Sequence, residues 1–198
     1  GDQSLFSLLV KRLRVPALAY TLGCARGKAF SYFCVPDKLS FNKALDAGAD
    51  PEKLVIVGNL ITDLLYNYRR KRKPAILFFL GSRPYQVRLS ASYWLRVAKE
   101  LALDFPDFSF QAPLSPFIDT ELLEEAFSLP RLPGAISGSL RKRDQRLFVV
   151  GENVELELIP SHLTTTKLPA RFEAMLSATF ALALPGTNNM ELAAAGTP

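Results

Sequence analysis

Histidine and cysteine are scarce in this chain, and no two aspartates stand one residue apart. One histidine and two cysteines in 198 residues, with Cys24 and Cys34 lacking metal-ligand spacing, exclude a zinc finger and a disulfide framework. A reducing, intracellular setting is the default that follows. Without an Asp-x-Asp pair to hold a divalent ion, any handling of a diphosphate is expected to run without metal, and no cofactor is implied. His162, the only histidine, lies in a polar stretch and reads as a surface residue. No apolar run approaches the ~20 residues needed to span a bilayer, and the first residues do not look like a secretory signal, so a soluble or peripheral protein is expected. Internal repeats and low-complexity tracts are missing as well.

Apolar residues, by contrast, are plentiful. At 48% hydrophobic the chain has ample material for one large or two small packed domains. The 24 basic against 19 acidic residues leave +5, and the basic ones cluster. Lys11, Arg12 and Arg14 form one group, Arg69 to Lys73 a second, and Arg141, Lys142, Arg143 and Arg146 a third. Such groups suit anionic lipid headgroups or diphosphates, although any one of them also suits a plain solvated face. Neither zinc-finger spacing nor an RNP-like aromatic pattern accompanies them, which excludes nucleic acid as the expected partner.

The punctuation is that of an α/β protein. Phe30 to Val35 reads as a strand, Pro36 to Ala47 as a helix ending near Gly48, and Leu54 to Val57 as a strand, followed by a short helix over Ile61 to Tyr68. The charged run Arg69 to Lys73 with Pro74 fits no core and marks the expected boundary, giving domains 1–68 and 75–198 joined by a basic linker at 69–74. Ala75 to Leu80 is a continuous apolar run, as expected of a strand buried on both faces of a parallel sheet. Pro84 opens a helix carrying Val87, Ala91, Trp94, Val97, Ala98 and Leu101. Phe108 to Ala112, Leu147 to Val150, Val154 to Ile159 and Phe180 to Leu184 read as further strands. Helices are expected over Asp119 to Phe127, over Pro169 to Leu176 and into Leu192 to Ala195. The chain opens on Gly1-Asp2 without a methionine and stops at Gly196-Thr197-Pro198, where a new strand is due, as a piece of a longer chain would.

Two strand-to-helix turns carry the candidate chemistry. At Gly186-Thr187, glycine lets a ligand approach the backbone, and the amides opening the next helix favour an anion such as a diphosphate. Glu191, one turn further in, has a carboxylate suited to two vicinal sugar hydroxyls. With Asn188 as N-cap, however, Glu191 falls at the third helical position, which makes a capping box needing no ligand. At Gly81-Ser82-Arg83, the guanidinium of Arg83 matches a phosphate, or else Ser82 caps the helix and Arg83 is solvated.

Several stretches, in order, resemble the lipid-A-disaccharide synthases and their relatives among glycosyltransferases of the two-Rossmann-domain (GT-B) type. They are Val15-Pro16-Ala-Leu-Ala-Tyr20, Val57-Gly58-Asn59-Leu-Ile-Thr-Asp63, Ile76-Leu-Phe-Phe-Leu-Gly81-Ser82-Arg83, Asp104 to Leu114, and Pro185-Gly-Thr-Asn-Asn-Met-Glu191 with Gly196-Thr-Pro198. The resemblance implies two Rossmann-like parallel-sheet parts, both incomplete here. It also implies inverting, metal-independent hexosyl transfer from a UDP-sugar to a lipid or glycolipid acceptor, carried out in the cytoplasm at the inner membrane face. By that resemblance Gly81, Ser82, Arg83, Gly186, Thr187 and Glu191 bind the donor and Asp2 faces the acceptor; an inverting transfer needs a base there, which Asp2 supplies unless it only caps a helix beginning at Leu5. Residues Ser128 to Thr166 are longer than the family pattern. Ser4-Leu-Phe-Ser7, Gly23 to Lys28 and Gln86, which stands where an acid is usual, depart from it mainly on the acceptor side. A nucleotide-sugar epimerase and a non-catalytic nucleotide- or lipid-binding relative are the alternatives.

Overall fold

The computed structural model describes residues 31–66, 68, 71–162 and 168–198. The chain divides into two compact units, Gly1–Leu64 and Leu65–Pro198.

Within the described part of the first unit, strands β1 (Phe33–Val35) and β2 (Leu54–Ile56) pair in parallel, with Phe33 opposite Leu54. Helix α1 (Lys38–Asp46) connects them and packs Ala44 against Val35 and Leu54. Asp37 starts this helix by accepting a 2.6 Å bond from the Ser40 amide. That bond is the main reason its carboxyl is held below the ordinary aspartate range, as expected when the ionised form caps a helix. A short helix, α2 (Leu60–Tyr66), follows.

In the second unit six strands form one sheet: β3 (Ala75–Phe79), β4 (Ser109–Pro113), β5 (Ser139–Arg143), β6 (Arg146–Gly151), β7 (Val154–Ile159) and β8 (Phe180–Ala183). Their order is β5-β6-β7-β4-β3-β8. The four strands β7, β4, β3 and β8 are mutually parallel, whereas β5, β6 and β7 form an antiparallel meander. The expectation of a purely parallel sheet is corrected here. Asp144 (φ 55) and Asn153 (φ 56) take left-handed conformations at the two tight turns of the meander, which Asp and Asn tolerate best among non-glycine residues. Tight turns return the chain antiparallel, while parallel neighbours need a crossover.

The larger core lies on one face of this sheet, while Leu77 and Phe79 of β3 are buried on the other. Ile76 and Phe78 of β3, Leu80 just after it, Phe110 and Ala112 of β4, and Leu156 and Leu158 of β7 bury together against two helices. The first, α3 (Pro84–Asp104), begins with proline in its first turn and contributes Val87, Ala91, Leu95 and Ala98. The second, α4 (Thr120–Ser128), is capped by Asp119, whose carboxylate accepts from the Leu122 amide at 2.8 Å. Phe78 stacks edge-on with Trp94 at 5.9 Å between centroids.

On the opposite face β7 presents Glu155 and Glu157 and β4 presents Gln111, so the period-2 alternation of Val154-Glu-Leu-Glu-Leu-Ile159 shows directly as buried and half-buried positions. Helix α5 (Ala170–Ser177) lies on this side against β3 and β4. Helix α6 (Thr187–Ala195) follows β8 and ends at Gly196 in the left-handed conformation (φ 60). The chain then returns to β8, where the Ala181 amide donates to the Pro198 carbonyl at 2.8 Å. Among the described residues no helix is long and apolar enough to cross a membrane.

Candidate functional site

The strands β3 and β8, parallel neighbours, deliver the two turns singled out in the sequence to the same end of the sheet. Between them and the loop after β4 lies a crevice of about 260 Å³. Gly81 and Ser82 line it from β3, Ser115 to Phe117 from the loop after β4, Arg171 from α5, and Asn188 and Glu191 from α6. Crevices outside the carboxyl ends of parallel strands are where open α/β sheets bind ligands.

The β3 turn is held by the helix it precedes. Ser90 donates its hydroxyl to the Leu80 carbonyl at 3.0 Å, tying α3 to the end of the strand. Gln86 bends back so that its Oε1 accepts from the Ser82 and Arg83 amides, both at 3.2 Å. Gly81 has φ +102, and a Cβ there would meet the Gln86 side chain at 2.7 Å. Glycine is required at 81 both for the backbone sign and for this contact. The cap therefore comes from Gln86 three residues into the helix, not from Ser82. Arg83 is the N-cap residue and is exposed, and its side chain does not line the crevice.

The α6 turn differs from the capping-box expectation. Its N-cap is Gly186, not Asn188, and no side chain caps the helix. Glu191 thus lies five positions in, beyond the third position that a capping box needs. A Cβ on Gly186 would meet nothing closer than the Leu184 carbonyl at 3.9 Å, so the space before this turn is open. Thr187 is the first residue of α6; its side chain lies outside the described part of the structure.

Glu191 instead makes a short ion pair through its Oε2 with Arg171 Nη2, both side chains being largely buried at 13% and 17% exposure. Its other carboxylate oxygen faces no hydrogen-bond donor among the described residues. The Arg171 guanidinium stacks over the Phe172 ring at 5.0 Å, and its Nε is buried without a hydrogen-bond partner. Arg171 is the site residue the sequence reading missed. Its signal was a cation at the second position of a helix, where the macrodipole disfavours positive charge unless something else holds it.

Gly81, Ser82 and Glu191 are thus brought together, Gly186 and Thr187 stand at the start of α6, and Arg83 is exposed and not among the residues lining the crevice. Asp2, the expected base, lies outside the described residues. No cluster of three or more His, Cys, Asp or Glu side chains able to hold a metal occurs among the described residues.

No family model matches the sequence, and no curated protein matches it significantly.

Proposed function

We propose that this crevice binds part of a nucleoside diphosphate sugar, and that the chain serves hexosyl transfer of the kind its motifs resemble, from a UDP-sugar to a lipid or glycolipid acceptor. The observation that carries the reading is the convergence of Gly81-Ser82 with Glu191 across adjacent strand ends. In this reading the second oxygen of the Glu191 carboxylate accepts the ribose hydroxyls while Arg171 fixes its orientation. The open N-terminus of α6 faces the diphosphate, where helix dipole and backbone amides offset the leaving-group charge without a metal. A base on the acceptor hydroxyl completes an inverting displacement, the role proposed for Asp2. Association with an anionic membrane surface through the basic groups brings the enzyme to a lipid acceptor, at roughly 1 kcal/mol per basic residue.

Gln86 favours a second reading. It already satisfies the Ser82 and Arg83 amides, so one of the two anion cradles is filled from within. A nucleotide-binding relative without transfer activity fits that arrangement. Incubating a UDP-sugar with and without acceptors separates these from an epimerase, which converts its donor alone.

The binding test is calorimetric titration of UDP into the wild-type chain and into Glu191→Gln. Loss of a charged acceptor removes roughly 1.5 to 3 kcal/mol, a tenfold to more than hundredfold drop in affinity. Equal affinity in the two proteins removes Glu191 from the site.

A further inference from the structure

The polar face of the sheet holds a second, larger cleft, of about 750 Å³, within the 300–1,000 Å³ typical of small-molecule sites. Two basic groups far apart in the sequence meet at its rim. Lys71 and Lys73 come from the segment before β3, and Arg146 from the start of β6. The floor carries a short polar chain, in which Gln111 Nε2 donates to Glu157 Oε2 at 3.0 Å and Arg146 Nε pairs with Glu157 Oε1 at 2.9 Å.

On this face Leu77 of β3 is buried beneath α5, but beside it Gln111 and Glu157 stand opposite each other on neighbouring strands, a polar pair that suits a polar occupant. Glu157 is only 15% exposed, and its two partners leave each carboxylate oxygen one further lone-pair position for a donor. Hydroxyl groups are the neutral donors that suit such an acceptor. At the rim, neither Lys71 nor Lys73 enters an ion pair among the described residues. Glu173 also lines the cleft, so three cations stand against two carboxylates and the balance is positive. Apolar walls from Leu168 and Leu176 complete the lining.

We infer that this cleft binds a phosphorylated polyol, with the phosphate at Lys71 and Lys73 and the hydroxyls on the Gln111–Glu157 pair. The phosphate ester is either a free small molecule or a lipid headgroup. The site is separate from the strand-end crevice and stands or falls independently of the nucleotide reading.

The test is nuclear magnetic resonance of the full 198-residue, nitrogen-15-labelled chain, titrated with glycerol 3-phosphate and, separately, with phosphatidylglycerol vesicles. Either probe is expected to shift the carboxamide signals of Gln111 and Gln145, which line the cleft, and to bind at least tenfold more weakly to Lys71→Glu/Lys73→Glu. Both lysines are exposed, so the variant keeps its fold. Response to glycerol 3-phosphate identifies a free ligand, and response to vesicles alone identifies the headgroup. The proposal is overturned by silence of both carboxamides with both probes, by equal affinity in the charge-reversed variant, or by a shift confined to Asn188 in the other crevice.

Discussion

Where β4 and β7 pair, the two faces of the six-stranded sheet are built from the same strands and do opposite work. On β4, Phe110 and Ala112 point into the core while Gln111 between them faces the cleft. On β7, Leu156 and Leu158 are buried while Glu157 pairs with Arg146. A pleated strand alternates sides at every residue, so one backbone can serve packing on one side and recognition on the other. The difference lies in what a substitution removes. Truncation on the core face leaves a cavity that close-packed neighbours cannot fill, whereas truncation on the polar face is repaired by water.

That contrast breaks if core and polar positions on neighbouring strands cost the same. Phe78→Ala, at a fully buried ring, is expected to lose about 3–5 kcal/mol, against under about 1 kcal/mol for Gln111→Ala, both read from urea melts. Equal losses would mean that both faces are packed alike.

The strand-end crevice shares features of each face, being buried yet charged. Arg171→Ala strands the Glu191 carboxylate, and with both partners slightly exposed the expected loss is about 2–3 kcal/mol, below that of a fully buried pair. Arg171→Met with Glu191→Leu removes both charges and is expected to recover most of it. A double variant no more stable than the single one would show that packing, not charge, holds α5 to α6.

The smallest effect belongs to the exposed rim. Glu152 has its carboxyl held below the ordinary glutamate range, first by the hydrogen bond from Lys99 and then by that residue's charge. A depressed folded pKa stabilises above the ordinary value, and the contribution is lost as pH falls through the lowered one. Lys99→Ala is therefore expected to lower stability slightly at neutral pH, to leave it unchanged below the lowered value, and so to flatten the acid limb of the stability profile. A steeper acid limb would contradict the assignment.

Much of the frame was legible from residue patterns. The uninterrupted apolar run of β3, the helical spacing behind Pro84 and the helix expected over Asp119 to Phe127 all lie within a residue or two of where the sequence pattern placed them. Strand β5 was not legible. Ser139-Leu-Arg-Lys-Arg143 sits at the sheet edge with mostly exposed side chains, so it lacks the apolar alternation that reveals a half-buried strand and reads as a charge cluster. Missing it also hid the antiparallel meander. At the site, Gly81, Ser82 and Glu191 were found from local turns, because each turn follows its own strand. Which cation holds Glu191 was not, because Arg171 reaches it from a different helix across 20 residues of sequence.

Strands β3 and β8 are spatial neighbours far apart in sequence, and just before them the Thr179 hydroxyl donates to the Lys73 carbonyl across 106 residues. The meander and α3, by contrast, close over short loops. Loop-closure entropy makes long-range pairings late events in folding. Glycine 81 and Glu191 belong to opposite ends of that closure, so no partly folded chain lacking β8 has the strand-end crevice at all. Ligand binding there reports a finished fold, and a ligand that occupies the crevice acts as a clasp on the two most distant parts of the second unit.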